Sequence, residues 1–254
     1  MMDRTARISL YGGAVLFAIL SAVFLTFPAV DLWFSSLFAT DAGRFPAARS
    51  SATIIIRHVI WNLCTAVAVF ALVMLIANFL LRPVIRLPSQ VWEFVCLSYI
   101  LGPGVLVNLV LKSNWGRARP QYVEAFGGDL TFSPPLLVSD QCARNCSFVS
   151  GEASAVTTIA LVLALLLLPT MSRKSGLILS VALIAFAGVG SLLRVAMGRH
   201  FLSDVLFAAD LSLVVTAGLY LWLGVGRYAQ DISVASIRAN ISALIRAAMG
   251  HHTP

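Results

Sequence analysis

Five ionisable side chains, Lys112, Arg119, Arg194, His200 and Asp204, stand at the edges of apolar runs long enough to cross a bilayer. Charge at such depth is costly and is kept where it has a task. These residue types suit one task in particular. Arginine forks match phosphate oxygens bidentately, and lysine adds a compact point charge. His200 and Asp204 are four residues apart, which on a helix sets their side chains face to face. An aspartate accepting from one imidazole nitrogen leaves the other as a nucleophile or base. Ser150-Gly151-Glu152 opens another apolar run. A helix start there offers backbone N–H groups and positive dipole potential to an anion, and glycine allows close approach. Taken singly, each cluster has a plainer explanation: snorkelling cations at a membrane rim, a capping serine, a polar surface histidine. Together they point to phosphate chemistry.

The elements that must position these groups follow from composition. The chain has 254 residues, 59% hydrophobic and only 11% charged, with a mean hydropathy of +0.90. A soluble domain carries roughly twice that charged fraction, so the class is an all-α polytopic membrane protein. Six runs reach the roughly 18 to 20 residues needed to span hydrocarbon. They lie at about 8–30, 58–81, 91–111, 151–172, 175–194 and 203–226, with a motif-bearing loop over 112–150. We expect one bundle and one domain over 1–254. The first run is longer than a signal-peptide core of about 7 to 15 residues, so it is read as a retained helix. The net charge of +7 raises nucleic acid as a partner, but no basic stripe with interleaved aromatics accompanies it, and nucleic acid is excluded.

Six spans put both termini on one side. Short loops carrying Arg4 and Arg7, Arg82 and Arg86, and Arg173-Lys174 place that side in the cytoplasm, because short loops and the first helix weigh most in topology. The totals are even, nine Lys/Arg on each side, so orientation rests on loop length. Parity makes a separate point. Span three ends at Lys112, span four begins near Ser150, span five ends near Arg194 and span six begins near Asp204. All four points share one membrane face, and with this orientation that face is outside the cytoplasm. The tail carries Ile237, Ile241, Leu244, Ile245 and Met249 among arginines. It is read either as an interfacial amphipathic helix or as a loosely ordered tail.

In order and spacing the clusters resemble the type-2 phosphatidic acid phosphatase superfamily, whose signature is K-x6-R-P, then P-S-G-H, then S-R-x5-H-x3-D. Lys112, Arg119 and Pro120 match the first motif in full. Ser150 and Gly151 match the second, with Val149 in place of proline and Glu152 in place of histidine. Arg194, His200 and Asp204 match the third, with Leu193 in place of serine. The resemblance implies a phosphohistidine mechanism. His200 would attack phosphorus, with Asp204 orienting the ring. Lys112, Arg119, Arg194 and the N–H groups near Ser150-Gly151 would hold the phosphoryl oxygens. No cofactor and no metal are implied, since the tail histidines and scattered cysteines make no ligand shell.

Glu152 stands where the family has the acid that protonates the leaving oxygen. Three readings stay open: a protonated Glu152 is the acid; the substrate is a diphosphate or anomeric phosphate that needs little acid help; or Glu152 is a first-turn acid in a protein without activity. Cys142 and Cys146 bracket Arg144 and on an oxidising face are either a small-loop disulfide or two free thiols. The expectation is a lipid phosphate or diphosphate phosphatase in the bacterial inner membrane, its site facing the periplasm and its partner a phosphorylated membrane lipid. Polyprenyl diphosphate, lipid A 1-phosphate and a glycerophospholipid phosphate are candidates. A lipid-to-lipid phosphotransferase and a non-catalytic phospholipid-binding or transport protein are the alternatives.

Overall fold

The computed structural model describes residues 2–80, 88–228, 231 and 233–249. Arg82, Arg86 and the expected end of span two at 81 lie outside the described residues. Six helices are long and apolar enough to cross a membrane: α1 (Met2–Thr26), α3 (Ser51–Leu80), α4 (Ser89–Asn114), α5 (Gly151–Leu167), α6 (Arg173–Ala196) and α7 (Leu202–Trp222). A short helix α2 (Ala29–Ser36) follows α1, and α8 (Val234–Ala248) closes the described chain. The all-α, six-span expectation agrees with this architecture.

Two span boundaries are corrected, each for a local reason. Span one ends at Thr26, not 30, because α2 begins behind Pro28. Span two begins at Ser51 rather than 58. Arg57 read as a span-ending charge, but its guanidinium donates to both Glu152 oxygens, at 2.7 to 3.1 Å. A paired arginine is tolerated inside a helix that a lone one would end.

α5 and α7 form the centre of the bundle. Half of each span's residues are buried, against 11% in α6. Large apolar side chains such as Val15, Val59, Leu72, Ile178 and Ile184 face outward, where acyl chains solvate them. Lipid tails are as apolar as leucine, so close packing and polar contacts must hold the helices together. Ser154 of α5 and Ser212 of α7 share a hydrogen bond of 2.8 Å, and Gly190 of α6 lets the Val156 side chain come close. α4 widens into a π-helix over Ile100–Leu111, around Pro103. Proline cannot donate to a helix ladder, and Asn108 uses its amide to bond the Pro103 carbonyl at 2.6 Å.

The tail forms a helix, and its Ile237 and Leu244 pack against the cluster that includes Trp92 and Tyr220. Of the two readings of the tail, the amphipathic helix is the one seen. Long loops join the helices at the end of the bundle where the chemistry gathers. Phe45, Ala118, Val123, Phe126 and Phe201 make a small apolar core under them.

Candidate active site

The loop from α4 to α5 passes over the bundle end and is tied down at both sides. The Cys146 N–H donates to the Lys112 carbonyl at 3.2 Å, Ser147 N–H to Arg117 at 2.9 Å, and Ser150 N–H to Asp204 at 3.2 Å. Backbone bonds thus join the ends of α4, α5 and α7. Gly116, at φ +70, turns the chain out of α4, and a Cβ there would collide with the Ser139 carbonyl. That conformation is open to glycine without penalty.

His200 sits in the turn before α7, 1% exposed. Its Nδ1 lies 2.8 Å from the Ser147 carbonyl oxygen. A carbonyl can only accept, so Nδ1 carries the proton and Nε2 keeps its lone pair. This corrects the expectation that His200 and Asp204 face each other on one helix. Asp204 Oδ2 lies 3.7 Å from Nδ1 and is occupied elsewhere. It accepts from Ser147 Oγ at 2.5 Å and from Phe201 N–H at 2.8 Å, while Oδ1 accepts from Arg117 at 2.6 Å. The aspartate clamps the turn around the imidazole and places a negative charge beside it.

Three cations face the histidine's surroundings. Lys112 and Arg194 are close enough for their charges to act on the imidazole, and Lys112, Arg119 and Arg194 repel one another. Asn145 holds two of them: its side-chain oxygen accepts from Lys112 at 3.1 Å and its carbonyl from Arg119 at 2.7 Å. Asn145 has φ 52, a left-handed conformation that asparagine enters more easily than most residues. It lies within the short loop between Cys142 and Cys146, whose sulfurs are paired in this structure. Arg194 is 93% buried by difference from its 7% exposure. Its Nε finds no acceptor among the described residues. Buried cations that crowd together with donors to spare are arranged for an anion.

A family model for the PAP2 superfamily matches residues 93–227. The chain belongs to the PAP2 superfamily. Proteins named lipid A 4'-phosphatase are similar to it. One from Rhizobium leguminosarum is 33% identical over 214 residues, covering 79% of this chain and 90% of that protein. One from Rhizobium etli is 34% identical over 219 residues, covering 79% and 81%. One from Francisella tularensis subsp. novicida is 39% identical over 127 residues, spanning half of this chain and only 55% of that protein. No solved structure matches the chain.

Within this PAP2 fold, Lys112, Arg119, Glu152, Arg194, His200 and Asp204 all meet at one bundle end. Ser150 caps α5, its Oγ accepting from Ala153 N–H at 3.3 Å. Its own N–H is committed to Asp204. The anion-facing N–H groups are therefore those of Gly151 and Glu152, which no helical carbonyl can accept. Gly151 is packed against Asn108, and a Cβ would come within 2.7 Å of that amide.

Glu152 is held by charge on two sides. Arg57 forms a fork to both oxygens, and Arg194 Nη2 lies 3.4 Å from Oε1. Sequence reasoning missed Arg57, Asp31, Arg117, Asn145, Ser147 and Ser203. Arg117 was counted among the loop cations, yet it is fully buried. It bonds Asp31 at 2.8 Å, Asp204 at 2.6 Å and Ser203 at 2.8 Å, with its carbon 4.4 Å from the Phe201 ring centroid. The Phe132 ring centroid lies 5.5 Å from the same guanidinium carbon and edge-on against Phe201, and Phe148 packs against Trp115. These aromatics pack the core of the loop.

Burial pushes the His200 pKa down to about 4, against the opposing pull of Asp204. Only the neutral ring keeps a free lone pair on Nε2, so activity that depends on it should be present above that value and be lost as pH falls through it. The acid limb of kcat/KM should lie near pH 4, once corrected for the substrate phosphate's own ionisation at about 6. A limb at the ordinary histidine value of about 6.5, after that correction, would contradict the buried neutral imidazole. The same depression makes the fold lose stability as pH falls from the unfolded value of 6.5 towards 4.

Proposed function

We propose that this protein hydrolyses the 4'-phosphate of lipid A through a phosphohistidine on His200, at the periplasmic face of a bacterial inner membrane. The observation that carries the reading is the Ser147 carbonyl on Nδ1, which leaves Nε2 of a buried imidazole unprotonated, close enough to Lys112 and Arg194 to feel their charges. The Rhizobium relatives and the PAP2 match support a lipid phosphatase acting on a phosphomonoester. The short basic loops near α1 support the orientation.

The chemistry proceeds in two displacements. The Nε2 lone pair attacks phosphorus as the P–O bond to the lipid breaks. Phosphate charge then rests among the three cations and the first N–H groups of α5, donors already in place. Positive charge developing on the ring is offset by Asp204, 3.7 Å away. The departing alkoxide takes a proton from water and leaves as the lipid alcohol, and the hydroxide so formed attacks the phosphohistidine, freeing phosphate and restoring the imidazole. The sum is lipid phosphate plus water giving lipid alcohol plus phosphate.

A phosphate at a primed carbon leaves behind a sugar alkoxide, a poorer leaving group than a diphosphate or an anomeric oxygen. Help with that charge comes from the arginines that Glu152 organises. Its carboxylate accepts from Arg57 and lies beside Arg194, which makes it a positioning residue for Arg194 and not the proton donor. Glu152→Gln should therefore lower kcat about 10- to 100-fold, and by the same factor for aryl and alkyl phosphates. A loss confined to alkyl phosphates, whose leaving oxygen needs a proton, would restore Glu152 as the acid.

The direct test is phosphate release by the purified protein from lipid A, phosphatidate, phosphatidylglycerol phosphate and polyprenyl diphosphate. Release from the 4' position of lipid A is the expected result. A phosphorylated lipid acceptor without free phosphate would make it a transferase, and tight binding without turnover a receptor.

A further inference from the structure

A second polar cavity lies on the same bundle end, outside the catalytic cluster. It encloses about 750 Å3 and is lined by Arg44, Arg49, Thr40, Ser50, Gln121 and Tyr122. Ligand sites commonly span roughly 300 to 1,000 Å3. It borders the catalytic cluster through two shared walls. Gln121 and Tyr122 directly follow Arg119-Pro120, and Gln121 N–H donates to the Gly198 carbonyl at 3.1 Å, two residues before His200. Its floor is Phe45 and Phe126, part of the same apolar core as Phe201. Gly198 is where Phe45 fits, since a Cβ there would come within 2.5 Å of its ring.

The cations in this cavity have no ion-pair role in the fold or in the catalytic cluster. With the N-terminus inside, nine Lys/Arg lie on the outer side, where topology disfavours them. Arg57 pairs with Glu152, Arg117 is buried between two aspartates, and Lys112, Arg119 and Arg194 serve the catalytic cluster. Arg44 and Arg49 are exposed and have no ion-pair partner among the described residues, yet they line one cavity with an amide, a phenol and two hydroxyls. Guanidinium forks suit a phosphate, and the uncharged polar groups suit sugar hydroxyls.

We propose that this cavity is a substrate subsite for the far end of a phosphorylated disaccharide headgroup, with Arg44 and Arg49 holding a second phosphate that is not cleaved. The proposal rests on the hydrolase reading above, because it takes the ligand to be the uncleaved part of the same lipid. A headgroup of two sugars reaches from the catalytic histidine across the Pro120–Tyr122 wall into the cavity. Selectivity for doubly phosphorylated over singly phosphorylated glycolipid would then reside in the loop between α2 and α3.

The test compares purified wild type with the Arg44→Gln/Arg49→Gln double variant in detergent micelles. The substrates are a disaccharide lipid phosphorylated at both ends and the same lipid with a hydroxyl at the end not cleaved. The wild type should prefer the doubly phosphorylated lipid by about 10-fold or more in kcat/KM, and in the double variant that ratio should fall towards one. An unchanged ratio, or equal losses on both lipids, would overturn the subsite and leave only general attraction to anionic micelles. Equilibrium binding of both lipids to the same two proteins separates the subsite from the hydrolase reading. If no phosphate is released from either lipid but the binding preference is present and lost in the variant, the hydrolase reading fails and the subsite stands. If binding shows no preference, the subsite fails whatever the turnover.

Discussion

His200→Ala should lower phosphate release by roughly 10^4-fold or more, the scale seen when a covalent nucleophile is deleted. The reason is geometric as well as chemical. Nδ1–H is fixed on the Ser147 carbonyl, so the attacking nitrogen is set before substrate arrives. Lipid binding should survive, because Lys112, Arg119 and Arg194 remain. Rapid quenching of the wild type with labelled substrate should trap a phosphoprotein that is labile to acid and stable to alkali. The variant should show none. Turnover within 10-fold of wild type, or label on a different side chain, would end the phosphohistidine mechanism.

Arg117→Met should be the most damaging single change to the fold. The guanidinium is fully buried between Asp31 and Asp204, at 2.8 and 2.6 Å, and also donates to Ser203 and to the Ser133 carbonyl. Removing one partner of a buried ionic cluster costs about 3 to 5 kcal/mol, because the charges left behind have neither water nor a counter-ion. Here two carboxylates are stranded at once. Asp31 comes from α2 and Asp204 from α7, so the loss also unties α2 from the turn that holds His200. Thermal unfolding in detergent should show the drop, with Arg117→Lys rescuing little because lysine lacks the fork. Adding Asp31→Asn to Arg117→Met should recover part of the loss by removing one stranded charge. A methionine variant with wild-type unfolding and activity would show that the cluster carries no such weight.

Much of this was open to inspection along the chain. Long uncharged runs can only be spanning helices, since no other structure satisfies its backbone in lipid except a closed barrel. Counting them placed Lys112, Ser150, Arg194 and Asp204 at one bundle end before any packing was known. Motif spacing picked out His200 and two of the arginines gathered near it. Errors arose where a charge was read by itself. Arg57 looked like the end of a span because Glu152, 95 residues away, was not visible as its partner.

Sequence alone determined the membrane class, the six spans, their shared face and the types of group gathered there, because hydrophobic length and motif order are local properties. Tertiary structure decided which acid met which base. The imidazole donated its hydrogen bond to a carbonyl 53 positions away, Asp204 went to Arg117 across 87, and Ser203 to Asp31 across 172. Periodicity reports neighbours within one helix, whereas partners for buried charges are set by how the helix ends and loops pack. With water excluded, each buried charge must find a counter-ion or a hydrogen bond wherever the fold brings one.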